Sequence, residues 1–395
     1  LGAAGFAASA GLLDAVLADD AKQVETLLKQ GANPNEVNSY GVTPLWLAAT
    51  NGSESVTKML LKAGADAKAT MPHGETALMA AARTGRPEVI VLLLNAGADP
   101  NARETQQGET ALMWAAAENH TDAIRALIKG GANPNQHGKG LDLGPWKWMN
   151  VGMVDTMLPR GGFTAAMYAA RQNMPEAIKA LAESGANLDE RDADGATALH
   201  LAIVNQHYDT AIVLLNVGAS PNVQDNSGMS GVYAAVDMAG FRSDIGRPNR
   251  VAQDKANALD VLKAALEHGG DPNLALTKAI IGRHHGGGDA QLGKGSTAVS
   301  RAIKGNDMAS VRLLAAHGAN LNVKNSKGGE TALHAAAKQG KGSLVKELLE
   351  LGADPDVKDN AGKTALDVVA GPGRGGAGED AGAILREFLS KRGAK

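Results

Sequence analysis

Two apolar patterns alternate along the chain. The first is short: a Thr or Ser leads into a Leu-x-x-Ala-Ala run, as from Thr76 through Leu78 to Ala81 and Ala82. The second places apolar residues at i, i+3 and i+4, as in Val56, Met59 and Leu60, which gathers them on one face of a helix. Thr before the first run suits a helix N-cap, because its hydroxyl accepts a backbone N–H that the helix leaves unpaired. Pro44 suits a first helical position. Small pairs such as Ala81-Ala82 let neighbouring helices approach closely. Gly64 after the second pattern supplies a left-handed C-cap, and proline follows soon after it in copies such as Asp99-Pro100 and Asn133-Pro134. The pattern predicts many short helix pairs, each ended by glycine.

The pairs repeat. Asn38 to Thr70 and Met71 to Arg103 are consecutive 33-residue copies. Thr43-Pro44-Leu45-Trp46 returns as Thr76-Ala77-Leu78-Met79, Thr110-Ala111-Leu112-Met113, Thr197-Ala198-Leu199-His200 and Thr331-Ala332-Leu333-His334. Weaker copies start at Thr164, Ser230, Thr297 and Thr364. A second mark fixes the register: Gly64, Gly97, Gly131, Gly185, Gly218, Gly318 and Gly352 each follow their Thr by 21 residues. Insertions lengthen the interval from Ser230 to Gly269 and from Thr364 to Gly393, and an incomplete first copy ends at Gly31.

These motifs resemble the ankyrin repeat, whose pattern is T-P-L-H, then A-A, then a closing G-A-D-x-N. The resemblance runs from about Gly11 through nearly the whole chain. It implies an all-α fold: an ankyrin-repeat α-solenoid of about ten helix pairs with β-hairpin fingers, here carrying three inserted loops. A single domain over 11–395 is expected, preceded by the apolar segment 1–10. In such a fold each pair buries its apolar face only against its neighbours.

Composition removes several chemistries. The chain has no cysteine, which excludes disulfides, thiolate metal sites and Cys nucleophiles. A net charge of −3 gives no polyelectrolyte signal, so nucleic acid is not an expected partner. No stretch reaches the roughly 20 apolar residues that span a bilayer. Leu1 to Ala10 contains Ala8-Ser9-Ala10 and reads either as the tail of a signal peptide or as an apolar arm on the first helix pair.

The inserted loops fall at about 138–160, 239–256 and 274–296. The first holds Trp146, Trp148 and Met149, in a chain with only four Trp, and reads either as a binding anchor or as a loop folded onto its own scaffold. The second holds Arg242, Arg247 and Arg250. The third holds His284, His285 and Asp289, residue types that ligate divalent metals, although adjacent His side chains need not converge on one ion. Gly288 to Lys294 nearly spells a phosphate-binding loop, but Gly295 stands where Ser or Thr is required.

The resemblance also implies that the first helix of each pair lines a concave groove. The outward positions there give Leu47, Trp114, Tyr168, Leu201 and Arg301, then Arg83, Glu118, Arg171, Gln172, Asp237, Lys304 and Lys338. His200 and His334 fill the His slot of the motif, which is structural in the family. The long inserted fingers are similar to those of exported bacterial ankyrin-repeat proteins, which implies a periplasmic or secreted protein, with the cytoplasm as the alternative. The leading expectation is a non-catalytic scaffold that recognises another protein through Trp114, Tyr168, Arg171, Trp146, Trp148, Met149, Asp237, His284, His285 and Arg301. No cofactor is expected. One alternative is a metal-binding or enzymatic site at His284, His285 and Asp289, and another is a self-assembling structural subunit.

Overall fold

A computed structural model describes residues 11–140, 161–240, 254–278, 293–325, 328–369 and 380–393. Its contacts form two compact units, one ending at Ala193 and the next beginning at Asp194.

The first unit stacks five helix pairs: Leu12–Leu17 with Ala21–Lys29 (α1, α2), Pro44–Asn51 with Glu54–Lys62 (α3, α4), Ala77–Thr84 with Pro87–Asn95 (α5, α6), Ala111–Ala117 with Thr121–Lys129 (α7, α8) and Ala165–Arg171 with Pro175–Glu183 (α9, α10). Helices α1, α3, α5, α7 and α9 pack in that order as one row, and α2, α4, α6, α8 and α10 form the other. The second unit holds Ala198–Val204 with Tyr208–Asn216 (α11, α12), Gly231–Ala239 with Ala258–Glu267 (α13, α14), Ala298–Gly305 with Met308–Ala316 (α15, α16) and Ala332–Lys338 with Gly342–Glu350 (α17, α18). A 3-10 turn, Leu366–Val368, and Ala381–Gly393 (α19) close it. The solenoid of helix pairs that the repeat implied is present in each unit.

The motif residues act as the local chemistry requires. Thr43, Thr76, Thr110 and Thr164 each accept the N–H three residues on, at Trp46, Met79, Met113 and Met167. The Ala pairs are fully buried, with Ala81, Ala82, Ala115, Ala116, Ala169 and Ala170 at 0% exposure. Gly64, Gly97 and Gly131 have φ of 91°, 88° and 96°, the left-handed region that glycine enters without a Cβ penalty.

The closing Asn of the motif ties copies together. Asn101 donates Nδ2–H to the Gly131 carbonyl at 3.0 Å, and its Oδ1 accepts the Asn133 N–H at 2.7 Å. Asn35, Asn222 and Asn273 make the same two bonds to the next copy. The C-cap of one pair is therefore satisfied by the side chain of the pair before it.

Among the described residues the expected hairpin fingers take the form of turns with three isolated bridges, Thr70 to Thr76, Gly140 to Gly161 and Ala275 to Thr297. Side chains take the N–H groups that a strand ladder would have used. Asn38 Oδ1 accepts from Tyr40 and Val42, and Asp225 Oδ1 accepts from Ser227 and Met229. Two of the bridges clamp the points where the first and third insertions leave and rejoin the scaffold.

Candidate functional site

In the first unit the first-helix row assembles a connected cluster. Thr110 and Thr164 cap α7 and α9, which sets Trp114 and Tyr168 at matching positions, each on the fifth residue of its motif. The residues just before the two caps, Glu109 and Phe163, point into the same space. Trp114 donates its indole N–H to Glu109 Oε2 at 2.8 Å. The Tyr168 hydroxyl hydrogen-bonds the same carboxylate from the next helix pair. Phe163 meets Tyr168 edge to face, with ring centroids 5.6 Å apart at 79°. Two guanidiniums flank the aromatics: Arg83 lies 5.3 Å from the Trp114 ring centroid and Arg171 5.8 Å from that of Phe163. Arg83 and Arg171 are exposed, Trp114, Tyr168 and Glu109 are half-buried, and Phe163 is buried.

Electrostatics hold this arrangement. Burial pushes the Tyr168 hydroxyl well above the ordinary tyrosine range, and the bond to Glu109 and its negative charge add to the effect, against an opposing pull from Arg171. The phenol therefore stays a neutral donor. Glu104 underpins the turn that presents Glu109. Its carboxylate accepts backbone N–H groups of Gln106, Gln107 and Glu109 at 2.6, 2.6 and 2.9 Å. Burial alone would raise its pKa, but the backbone donors of Glu109, Gln106, Gln107 and Gly108 outweigh it and hold the group below the usual carboxylate range.

The structure thus brings Trp114, Tyr168 and Arg171 together, joined by Glu109, Phe163 and Arg83. Glu109 and Phe163 are not among the residues that the sequence analysis singles out for the site. The available signal was their shared position, immediately before the Thr of their motif.

In the second unit Asp237 on α13 and Arg301 on α15 meet each other. Arg301 Nε donates to Asp237 Oδ1 at 2.5 Å, with the Asp side chain 2% and the Arg side chain 13% exposed. The pair bridges two neighbouring helices and turns the Asp237 carboxylate inward. His200 and His334 are also internal. His200 Nδ1 accepts the Thr197 N–H at 3.2 Å, so its proton sits on Nε2, which donates to the Met229 carbonyl at 2.8 Å. His334 repeats this between Thr331 and Lys363.

Trp146, Trp148, Met149, His284, His285 and Asp289 lie outside the described residues, as does the apolar segment 1–10. Among the described residues no three His, Asp or Glu side chains are grouped to hold a metal ion, and no helix is long and apolar enough to cross a membrane.

Comparison with known proteins agrees with the repeat. A family model described as ankyrin repeats (3 copies) matches residues 12–104, 72–138, 147–225 and 251–359. The E3 ubiquitin-protein ligase KEG of Arabidopsis thaliana is 26% identical over 243 residues, covering 58% of this chain and 14% of that protein. Rabankyrin-5 of Homo sapiens is 27% identical over 202 residues, covering 49% of this chain and 16% of its own length. The B-cell lymphoma 3 protein homolog of Mus musculus is 31% identical over 180 residues, covering 43% and 39%. The likeness thus spans well under half of each relative.

Proposed function

This chain belongs to the ankyrin-repeat family, and from that premise we propose that it is a non-catalytic scaffold that binds another protein along the first-helix row of its first unit. The observation that carries this reading is the Trp114–Glu109–Tyr168 cluster. Its aromatic groups are fixed by hydrogen bonds and left half-buried on one face. An anchor already held in place loses little freedom when a partner covers it, and aromatic and Arg side chains dominate the energetics of such contacts.

The inserted loops extend the reading, with Trp146, Trp148 and Met149 as anchors of the first and His284 and His285 as contacts of the third. Asp237 and Arg301 contribute by stiffening the row in the second unit. The proposed partner lies outside the cytoplasm, a reading that rests only on the resemblance of the inserted loops, in sequence, to those of exported bacterial ankyrin-repeat proteins. Fractionation of cells making the full-length protein tests the location.

Binding itself is tested by affinity capture with the full chain and with Trp114→Ala plus Tyr168→Ala. The reading expects a partner retained by the parent chain and lost with the double variant. Capture of the same proteins by both removes the row from the function.

A further inference from the structure

At the base of the first insertion both nitrogens of the His137 ring face oxygen acceptors. Nδ1 lies 2.8 Å from the Gly162 carbonyl, and Nε2 lies 3.0 Å from Glu190 Oε2. A neutral imidazole carries one N–H and one lone pair, whereas the imidazolium carries two N–H groups. Only the imidazolium donates to both oxygens. In the neutral ring one nitrogen turns a lone pair toward an oxygen, and that contact is given up. Glu190 is already oriented, because its other oxygen accepts the Asn187 side-chain N–H at 2.9 Å. Both His137 and Glu190 are half-buried.

The ring joins three pieces of chain. His137 precedes the insertion, Gly162 lies where the insertion rejoins the scaffold, and Glu190 belongs to the turn after α10. Two backbone bonds tie the same ends: Gly138 N–H to the Phe163 carbonyl and Gly162 N–H to the Lys139 carbonyl, both at 2.9 Å. Phe163 then makes the edge-to-face contact with Tyr168, so this junction borders the aromatic row. The charges around the ring come from three turns. Arg103 donates to the Gly108 and His137 carbonyls, and Lys139 donates to the Thr105 carbonyl. Glu104 accepts backbone N–H groups of its own turn. Asp189, Arg191 and Asp192 flank Glu190 and hold contacts of their own. Of these groups Glu190 is the one within hydrogen-bond distance of the ring.

We propose that His137 is a pH-sensitive clamp at the base of the first insertion, bonding Gly162 and Glu190 together as the imidazolium and holding only one of them as the neutral ring. Histidine is the side chain that changes charge between about pH 5 and pH 8. The double bond to the ring is therefore fully present on the acid side of that range and is lost as pH rises through it. The base of the third insertion gives an internal reference. There Gly295 N–H donates to the Leu276 carbonyl at 2.8 Å, and Leu276 N–H to the Ser296 carbonyl at 2.9 Å, a purely backbone closure. The proposal goes beyond the scaffold reading and does not depend on it, because it concerns how a loop is tied and not what the chain binds.

Amide hydrogen exchange tests it, read by NMR on the full chain with isotope-labelled glycine. The rates at Gly138 and Gly162 are divided into that of an unstructured amide at the same pH, which removes the intrinsic acceleration by base. In the parent chain this protection should fall about two- to fivefold between about pH 5 and about pH 8, the size of a partly exposed ion pair. Gly295 should hold its protection over the same range. His137→Gln should abolish the fall, because its amide does not titrate there. Glu190→Gln should abolish it too, because an amide can turn either its oxygen or its NH2 toward the ring and so suits both charge states. Both variants keep a polar side chain of similar size, and a loss of fold would appear at Gly295. Constant protection at Gly138 and Gly162 in the parent chain overturns the proposal, and so does an equal fall at Gly295. A fall that survives in His137→Gln assigns the effect to another group, and one that survives in Glu190→Gln removes the carboxylate from the clamp; either result overturns it.

Discussion

Trp114 and Glu109 are joined by a 2.8 Å hydrogen bond from the indole N–H to Oε2, and Tyr168 reaches the same carboxylate from the neighbouring helix. One side chain in a turn thereby locks two aromatic residues on separate helix pairs. Glu109→Ala removes the acceptor of both, which should cost about 1–3 kcal/mol in urea unfolding. It should also move the Trp114 indole proton resonance toward the position of a water-exposed indole. Glu109→Gln should keep most of both, because its carbonyl accepts from Trp114 while its amide donates to the Tyr168 oxygen. Equal losses in the two variants would mean that the carboxylate charge, and not the bonding geometry, holds the cluster.

His200 tests the bonds between turns. It is 1% exposed, and so is Met229, whose carbonyl it engages. His200→Leu strands the buried Thr197 N–H and takes one of two donors from the Met229 carbonyl, which keeps the Asp225 N–H, for an expected loss of about 1–3 kcal/mol. His200→Met should cost less, because its sulfur can take the Thr197 N–H. The reason is visible at Thr110 and Thr164, whose N–H groups point at Met113 and Met167 sulfurs at 3.4 Å. Binding by the Trp114 row, which belongs to the other unit, should be unchanged in both.

Asp237 and Arg301 form a nearly buried ion pair. Breaking such a pair by removing one member is destabilising, so Asp237→Ala should lose about 3–5 kcal/mol of stability. Asp237→Ala combined with Arg301→Leu should recover part of that loss, since an apolar side chain then fills the place of the nearly buried charge. Chemical denaturation of the single and double variants decides it. A double variant as weak as the sum of the singles would assign the cost to packing.

The scaffold was legible in the sequence because its determinants are local. A Thr cap, an Ala pair and a left-handed Gly each act within a few residues, so fixed spacing exposes them. The first-helix row was legible for the same reason, and Trp114, Tyr168 and Arg171 fall on it. What could not be read were the relations across copies. Tyr168 meets Glu109 only because α9 packs on α7, and an insertion separates them in the chain. Asp237 and Arg301 stand seven and four residues after the Ser or Thr of their motifs, and their contact depends on α13 and α15 being neighbours across 64 residues. The Asn101 bonds to Gly131 and Asn133 are of the same kind: the residue is in the motif, but its partners belong to the next copy.

Gln206 shows where a copy departs from its optimum. The turn between paired helices needs a left-handed residue, supplied by Gly52 and Gly85 at φ 68° and by Asn119 and Asn173 at φ 62° and 61°. Gln206 stands there at φ 63° with a branchless but bulky side chain. A non-glycine residue in this region costs about 1 kcal/mol or more, while glycine adds about 0.5–1 kcal/mol of unfolded-state entropy. Gln206→Gly should therefore be neutral to stabilising by about 1 kcal/mol. Gln206→Val, branched at Cβ, should destabilise. Thermal unfolding of the two variants gives opposite signs if backbone conformation decides the position.

Tyr208 predicts a pH dependence. Burial, with help from the Asp254 carboxylate, pushes its hydroxyl from 10.0 to about 12. The phenolate is the disfavoured form, so the folded state holds this proton more tightly than the unfolded chain. Below the unfolded value the contribution to stability is fully present. Between 10.0 and about 12 the unfolded chain ionises while the folded state does not, and stability falls. Above that window both states are ionised and no further loss comes from this group. Other groups titrate in alkali, so the measurement is the difference in unfolding free energy between the parent chain and Tyr208→Phe. That difference should be flat at neutral pH and decline through the window. Asp254 supplies a second check: its N-terminal neighbour helix is tied to it through the Asp209 N–H at 3.3 Å, and Asp254→Asn should narrow the window by removing the charge while keeping that acceptor. A difference that stays flat through alkaline pH would mean that the Tyr208 hydroxyl ionises as it does in the unfolded chain.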